Sequence, residues 1–105
     1  MHVSSISLLE IEYGIERTAD PAKRDRLTRW FESVMTLGAV AVIPVDAPVA
    51  RAAGRMKWAS DRQGRPRSFE DLLIAATAVV HGAVVVTRNI QDFEGLGLPV
   101  LNPFR

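Results

Sequence analysis

The chain contains no cysteine, which excludes a disulfide framework, a thiolate zinc site and a cysteine nucleophile. Its histidines, His2 and His81, are too few and too isolated for a histidine metal site or an acid–base pair. Ser68 and Thr87 therefore lack the partner that a serine-type triad needs. Lysine is almost as scarce, with only Lys23 and Lys57, and neither follows a strand-like run. No glycine-rich phosphate loop is present, since Gly95-x-Gly97 comes after the last strong strand with no helix to follow. The longest apolar stretch, Leu72 to Val86, is interrupted by His81-Gly82 and falls short of the ~20 residues of a membrane span. MHVSSISLLE has no basic segment and meets Glu10 too early for a secretory signal. Charge of one sign is lacking too: 13 Lys/Arg face 12 Asp/Glu, for a net +1. That excludes a globally basic nucleic-acid coat but not a local basic patch. What remains is 105 residues, 48% apolar and 24% charged, the composition of one soluble globular domain. The absence of cysteine is compatible with a cytoplasmic location.

Glycine and proline divide this composition into elements. A strand ending at Ser4 is expected to lead into a helix capped by Ser4 or Ser5 and running to about Arg17. Ile6, Leu9 and Tyr13 share one face of it, with Leu8, Ile11 and Ile15 on the other, so cover is expected on two sides. Asp20-Pro21 starts a second helix that Gly38 stops. Ala39–Val45 reads as a buried strand, and Asp46 caps a helix to about Arg62. Ser68 opens a helix to His81, with a capping-box pattern, and Gly82 ends it. Ala83–Thr87 is a second buried strand and Pro99–Leu101 a third, weaker one. Strands alternating with helices at this spacing predict βαβ units: a three-layer α/β/α domain over residues 1–105, Rossmann-like, with a mostly parallel sheet.

In such a sheet, ligands bind beyond the carboxyl ends of the strands, and Glu10, Asp71 and Asp92 fall there. Glu10 lies about 40° from Ile6 and 60° from Tyr13 on a helical wheel, hence turned partly inward. Asp71 occupies the first turn of the Ser68 helix, and Asp92 follows the Ala83–Thr87 strand. Clustered carboxylates repel one another unless a cation neutralises them, and an all-oxygen cluster suits Mg2+ or Mn2+. Bland readings stand beside this one. Glu10 can be a partly buried acid with an arginine partner, Asp71 can serve the helix dipole, and Asp92 can cap a turn.

The blocks Ser5-Ile6-Ser7-Leu8-Leu9-Glu10-Ile11-Glu12-Tyr13-Gly14, Asp71-Leu72-Leu73-Ile74-Ala75-Ala76-Thr77-Ala78 and Thr87-Arg88-Asn89-Ile90-Gln91-Asp92-Phe93 occur in that order, followed by Val100-Leu101-Asn102-Pro103-Phe104. Together they resemble the PIN domain, specifically the VapC-type toxin ribonucleases. The resemblance covers essentially the whole chain. It implies a PIN-like fold and a Mg2+- or Mn2+-dependent endoribonuclease of a type II toxin–antitoxin system. Such enzymes are usually dimeric and are neutralised by a cognate antitoxin. Glu10, Asp71 and Asp92 match the family's catalytic, metal-holding acids, while Asn89, with Thr87, matches the polar support of the site. Glu12, Glu70 and Glu94 do not fall on acidic positions and read as surface or supporting groups. One departure accompanies the match. The family's opening strand–helix unit, with an Asp-Thr-Asn-like turn, has no counterpart before the Glu10 block. An N-terminally truncated PIN-like domain is therefore the expectation.

Arg55, Lys57, Arg62, Arg65 and Arg67 form a basic stretch ahead of Asp71. Arg62, Arg65 and Arg67 are candidates to hold RNA phosphates, against the alternative of a solvated helix end and loop. Trp58 is the best candidate to stack on an unpaired base, whereas Trp30, Phe31 and Phe69 read as core or interface. The Ser68 helix, apolar all round, is expected to be buried on every side. Together with the Asp20 helix it suggests a homodimer, or a groove for a partner helix such as an antitoxin tail. Two further readings remain open: a catalytically dead module that binds an antitoxin or other partner without cleaving RNA, and an unrelated phosphoacceptor-type α/β domain.

Overall fold

A computed structural model describes residues 2–38 and 40–102. Its helices begin where a short polar side chain can accept the backbone N–H groups that a first turn leaves unpaired. Ser4 Oγ accepts from Ile6 N at 3.1 Å and opens α1 (Ser5–Glu16). Asp20 Oδ1 accepts from Ala22 N at 3.1 Å, with Pro21 as the first residue of α2 (Pro21–Thr36). Asp46 caps α3 (Ala47–Arg62) through Val49 N at 3.1 Å, and Ser68 caps α4 (Phe69–His81) through Asp71 N at 3.0 Å. At the end of α4 the chain must reverse toward the sheet, and Gly82 supplies the left-handed conformation, φ +66°.

The strands are short. β1 (His2–Ser4) pairs in parallel with β2 (Ala41–Ile43), and β3 (Val85–Val86) with β4 (Val100–Leu101). A hydrogen bond from Val84 N to His2 O, 3.0 Å, brings β1 alongside β3. The strands thus follow the order β2-β1-β3-β4. Side chains alternate across this arrangement as the pleat requires. Val3, Val42, Val84 and Val86 pack with Ile11 and Ile15 of α1 and Leu27 and Phe31 of α2. Ile43, Val85 and Val100 pack on the other side with Ile74, Ala75 and Ala78 of α4. Behind α4, Leu72 and Ala76 meet Val49, Ala52 and Ala53 of α3. This is the expected three-layer α/β/α sandwich with parallel pairing.

Several expectations are corrected in detail. The Ala39–Val45 strand contracts to Ala41–Ile43, and Ala39 lies outside the described residues. As the terminal strand of the order, β2 is exposed at Ala41 and only half-buried at Val42 and Ile43. α1 is covered on two sides only at its start: Ile11 and Ile15 are buried on one face and Ile6 packs into the α4 side of the core on the other, but beyond Ile6 that second face opens, with Leu9 56% and Tyr13 62% exposed. α4 is not enclosed either. Its Val79 and Val80 face outward, because α3 and the sheet occupy only its other sides. Phe69, expected in the core or at an interface, is not in the core: it is 67% exposed and carries the Lys57 ammonium 5.4 Å from its ring centroid. No described helix is long and apolar enough to cross a membrane. Pro103 and Phe104, at the end of the last matching block, lie outside the described residues.

Candidate functional site

Three chain segments converge beside the carboxyl ends of β1 and β3. The Ser68 cap fixes the first turn of α4, which carries Glu70 and Asp71. The loop after β3 carries Thr87 and Asn89, and then folds into a 3-10 turn, Ile90–Phe93, that carries Asp92. α1 contributes Glu10. Phe93 anchors the 3-10 turn by burying its ring in the core beneath α4.

Asp71 and Asp92 face a cavity of about 380 Å3 that Arg65, Ser68 and Gln91 also line. Arg67 ties the walls of this cavity together. Its guanidinium donates to the backbone oxygens of Asp92 and Glu94, the latter at 2.9 Å, and so clamps the Asp92 turn to the segment that precedes α4. Asp71 is half-buried, and that burial is the main reason its pKa is raised. Repulsion from Asp92 and Glu70 raises it further, while the Ser68 hydroxyl and the Arg67 charge act the other way.

Glu10 lies on the other side of Glu70. Its Oε1 is buried with no hydrogen-bond partner among the described residues. Its pKa rises from 4.5 to about 7, first through burial, then through a hydrogen bond with the Glu70 carboxyl and repulsion from Glu70 and Asp71. The Thr87 hydroxyl opposes this shift by hydrogen bonding to Glu10. Thr87 is itself buried, and its Oγ1 also accepts from Asn89 N at 3.1 Å. Thr87 and Asn89 thus stand beside Glu10, joined to each other by that bond. A second cavity, about 350 Å3, opens on this side and is lined by Glu10, Glu70, Tyr13, Arg17, Arg88 and Asn89, with Leu9.

The candidate acids therefore form a row, Glu10–Asp71–Asp92, linked pairwise through Asp71. Among the described residues, no three His, Cys, Asp or Glu side chains stand close enough together to hold an ion. The donor chemistry nonetheless fits a hard divalent cation. The row is all carboxylate, Asp71 raises the pKa of Glu10 and Asp92 that of Asp71, and one buried oxygen has no partner among the described residues.

Glu70, read from the sequence as a surface or supporting group, lines the cavity beside Glu10. It is exposed, yet it bears on Glu10 and helps to raise its pKa. Its position beside Asp71 in the first turn of a capped helix is the only signal that hints at this. Of the basic candidates, Arg65 lines the Asp71 cavity, Arg67 is committed to backbone carbonyls, and Arg62 is exposed at the end of α3 without lining that cavity.

The PIN-domain family matches residues 1–96 of the chain. A tRNA(fMet)-specific endonuclease VapC from Shigella flexneri is 33% identical over 97 residues, covering 92% of this chain and 70% of that protein. The chain belongs to the VapC branch of the PIN-domain family. A VapC ribonuclease from Sinorhizobium fredii is 32% identical over 107 residues, covering 99% of this PIN domain and 75% of that protein. In three dimensions the PIN domain is similar to DNA-bound VapBC from Salmonella typhimurium. The TM-score is 0.67 at 30% identity, over 96% of this chain and 74% of that one.

Proposed function

We propose that this PIN domain is a Mg2+- or Mn2+-dependent endoribonuclease that hydrolyses RNA phosphodiesters at Glu10, Asp71 and Asp92. The observation that carries the reading is that Asp71 and Asp92 line one cavity, with Glu10 near enough to be affected by Asp71, on the residues that match the VapC blocks. Those three carboxylates would hold the cation, which when bound activates a water molecule and offsets the charge developing on the phosphodiester. Around them, Thr87 and Asn89 orient Glu10, Arg67 holds Asp92 in place, and Arg65 meets the substrate's phosphates at the cavity rim.

As for partners, an antitoxin fits the family, since the similar Salmonella structure is a VapBC complex. Self-association into a homodimer would cover the outward Val79 and Val80 of α4 and the exposed Trp30 and Met35 of α2. The deciding experiment is cleavage of a panel of structured RNAs by the purified chain in Mg2+, Mn2+ or EDTA. The name of the Shigella relative is the reason to include initiator tRNA in that panel. Cleavage that needs the cation and disappears in Asp71→Asn supports the reading; cleavage that survives both EDTA and the substitution overturns it.

A second reading is a PIN-like module that binds its antitoxin without cutting RNA. It is favoured by the spacing of the acids, which stand in a row and present no three-donor cluster among the described residues. A folded chain that binds an antitoxin and cleaves nothing in any cation would establish it.

A further inference from the structure

The cavity beside Glu10 has a chemistry that phosphodiester cleavage alone does not require. Leu9 and Tyr13 line it although they are 56% and 62% exposed. Exposing an aromatic ring beside a leucine leaves apolar surface uncovered, where the other face of α1 buries Ile11 and Ile15. The ring is held in place: the Arg17 guanidinium lies 5.5 Å from the Tyr13 centroid. Asn89 lines the same cavity, and its turn is fixed by its N–H donating to Thr87 Oγ1. The asparagine amide carries both donors and an acceptor.

An aromatic ring, an amide and a guanidinium lining one cavity match the needs of a nucleotide. The base stacks, its edge hydrogen-bonds, and its phosphate meets the cation. Glu70 lines this cavity and its chain neighbour Asp71 lines the one shared with Asp92, so the two cavities are neighbours.

We propose that the Tyr13–Asn89 cavity is a nucleobase subsite, which takes one unpaired base of an RNA strand whose neighbouring phosphate meets Arg65 at the rim of the Asp71–Asp92 cavity. The base must be unpaired, because a base inside a duplex offers neither a free face to Tyr13 nor a free edge to Asn89. The choice of RNA as the polymer rests on the ribonuclease reading; the stacking chemistry does not.

The test is binding of a short fluorescein-labelled oligoribonucleotide, single-stranded or annealed to its complement, in EDTA so that no metal-dependent cleavage intervenes. Fluorescence anisotropy gives the affinity for wild type, Tyr13→Ala, Tyr13→Phe and Trp58→Ala. Tyr13→Ala removes an exposed ring, so its circular dichroism melt should overlay that of wild type. Loss of one stacked base is expected to weaken single-strand binding roughly tenfold in Tyr13→Ala. Tyr13→Phe keeps the ring and should stay within about twofold of wild type. Trp58→Ala should do the same, because Trp58, although exposed, lines neither cavity. The proposal is overturned if Tyr13→Ala binds like wild type, if duplex binds as tightly as single strand, or if wild type binds neither. Tyr13-dependent binding with no cleavage in any cation would remove the ribonuclease reading and leave the subsite standing. Metal-dependent cleavage with Tyr13-indifferent binding would do the reverse.

Discussion

At Glu10, burial beside two other carboxyls produces a measurable dependence on pH. The folded-state pKa of about 7 lies above the ordinary 4.5, so the folded chain holds more protons than the unfolded chain between those values. Stability is then greatest below pH 4.5 as far as this group is concerned, and declines as pH rises toward 7. Thermal melts of the cation-free protein across that window should show the decline in wild type and a flatter profile in Glu10→Gln. Parallel profiles would mean that Glu10 is solvated. Arg67 offers a different test, because it acts through the backbone of its neighbours. Charge-assisted hydrogen bonds contribute about 1.5–3 kcal/mol each when buried, and less here, since Arg67 is half-exposed. Arg67→Ala should lower the melting temperature by several degrees and reduce kcat while leaving KM for RNA near the wild-type value. Arg67→Lys should recover little, as an ammonium cannot reproduce the two-pronged fork, whereas added methylguanidinium should restore part of the rate. An increase in KM alone would instead identify Arg67 as a phosphate contact.

At the scale of elements, the caps are the most legible feature of the chain, because their physics is local. Ser4, Asp20, Asp46 and Ser68 each precede a helix and accept its orphan N–H groups in the structure. The Ser68 cap does a second job by placing Asp71 and hydrogen-bonding to its carboxylate. Removing a cap costs about 0.5–2 kcal/mol, which is roughly 4–8 °C of melting temperature per kcal/mol in a domain of this size. Ser68→Ala and Asp46→Ala should therefore melt lower by similar amounts, but only Ser68→Ala should also impair cleavage. Equal loss of activity in both would show that activity follows stability alone. What periodicity could not supply was which faces find partners. Leu9 and Tyr13 have the same wheel pattern as a buried stripe, and α4 is apolar all round, yet cover ends where neighbouring elements end. The Glu10–Glu70 contact was illegible for a related reason: it joins α1 to α4 across 60 positions of sequence. So was the Arg67 clamp, because its acceptors are backbone carbonyls that any residue would provide.

At the scale of the molecule, the three layers bring the first turn of α4, the loop after β3 and α1 to one end of the sheet, so the acid row exists only in the folded chain. A ligand that recognises this row must therefore stabilise folding by mass action, as RT ln(1 + [L]/Kd) for a ligand that ignores the unfolded state. On the proposed reading, Mg2+ or Mn2+ should raise the melting temperature progressively with concentration, whereas NaCl at matched ionic strength should only screen exposed charges. The increase should be larger near pH 7.5 than near pH 5.5, because at the lower value protons compete for Glu10, whose pKa is about 7. Asp71→Asn should abolish the cation-dependent part while melting no lower than wild type without cation, since repulsion from Asp92 and Glu70 is relieved. Calorimetric melts over a cation series at both pH values would measure this without reference to activity. A melting temperature indifferent to both cations at both pH values would mean that the row does not close on an ion, and would leave partner binding as the function these residues support.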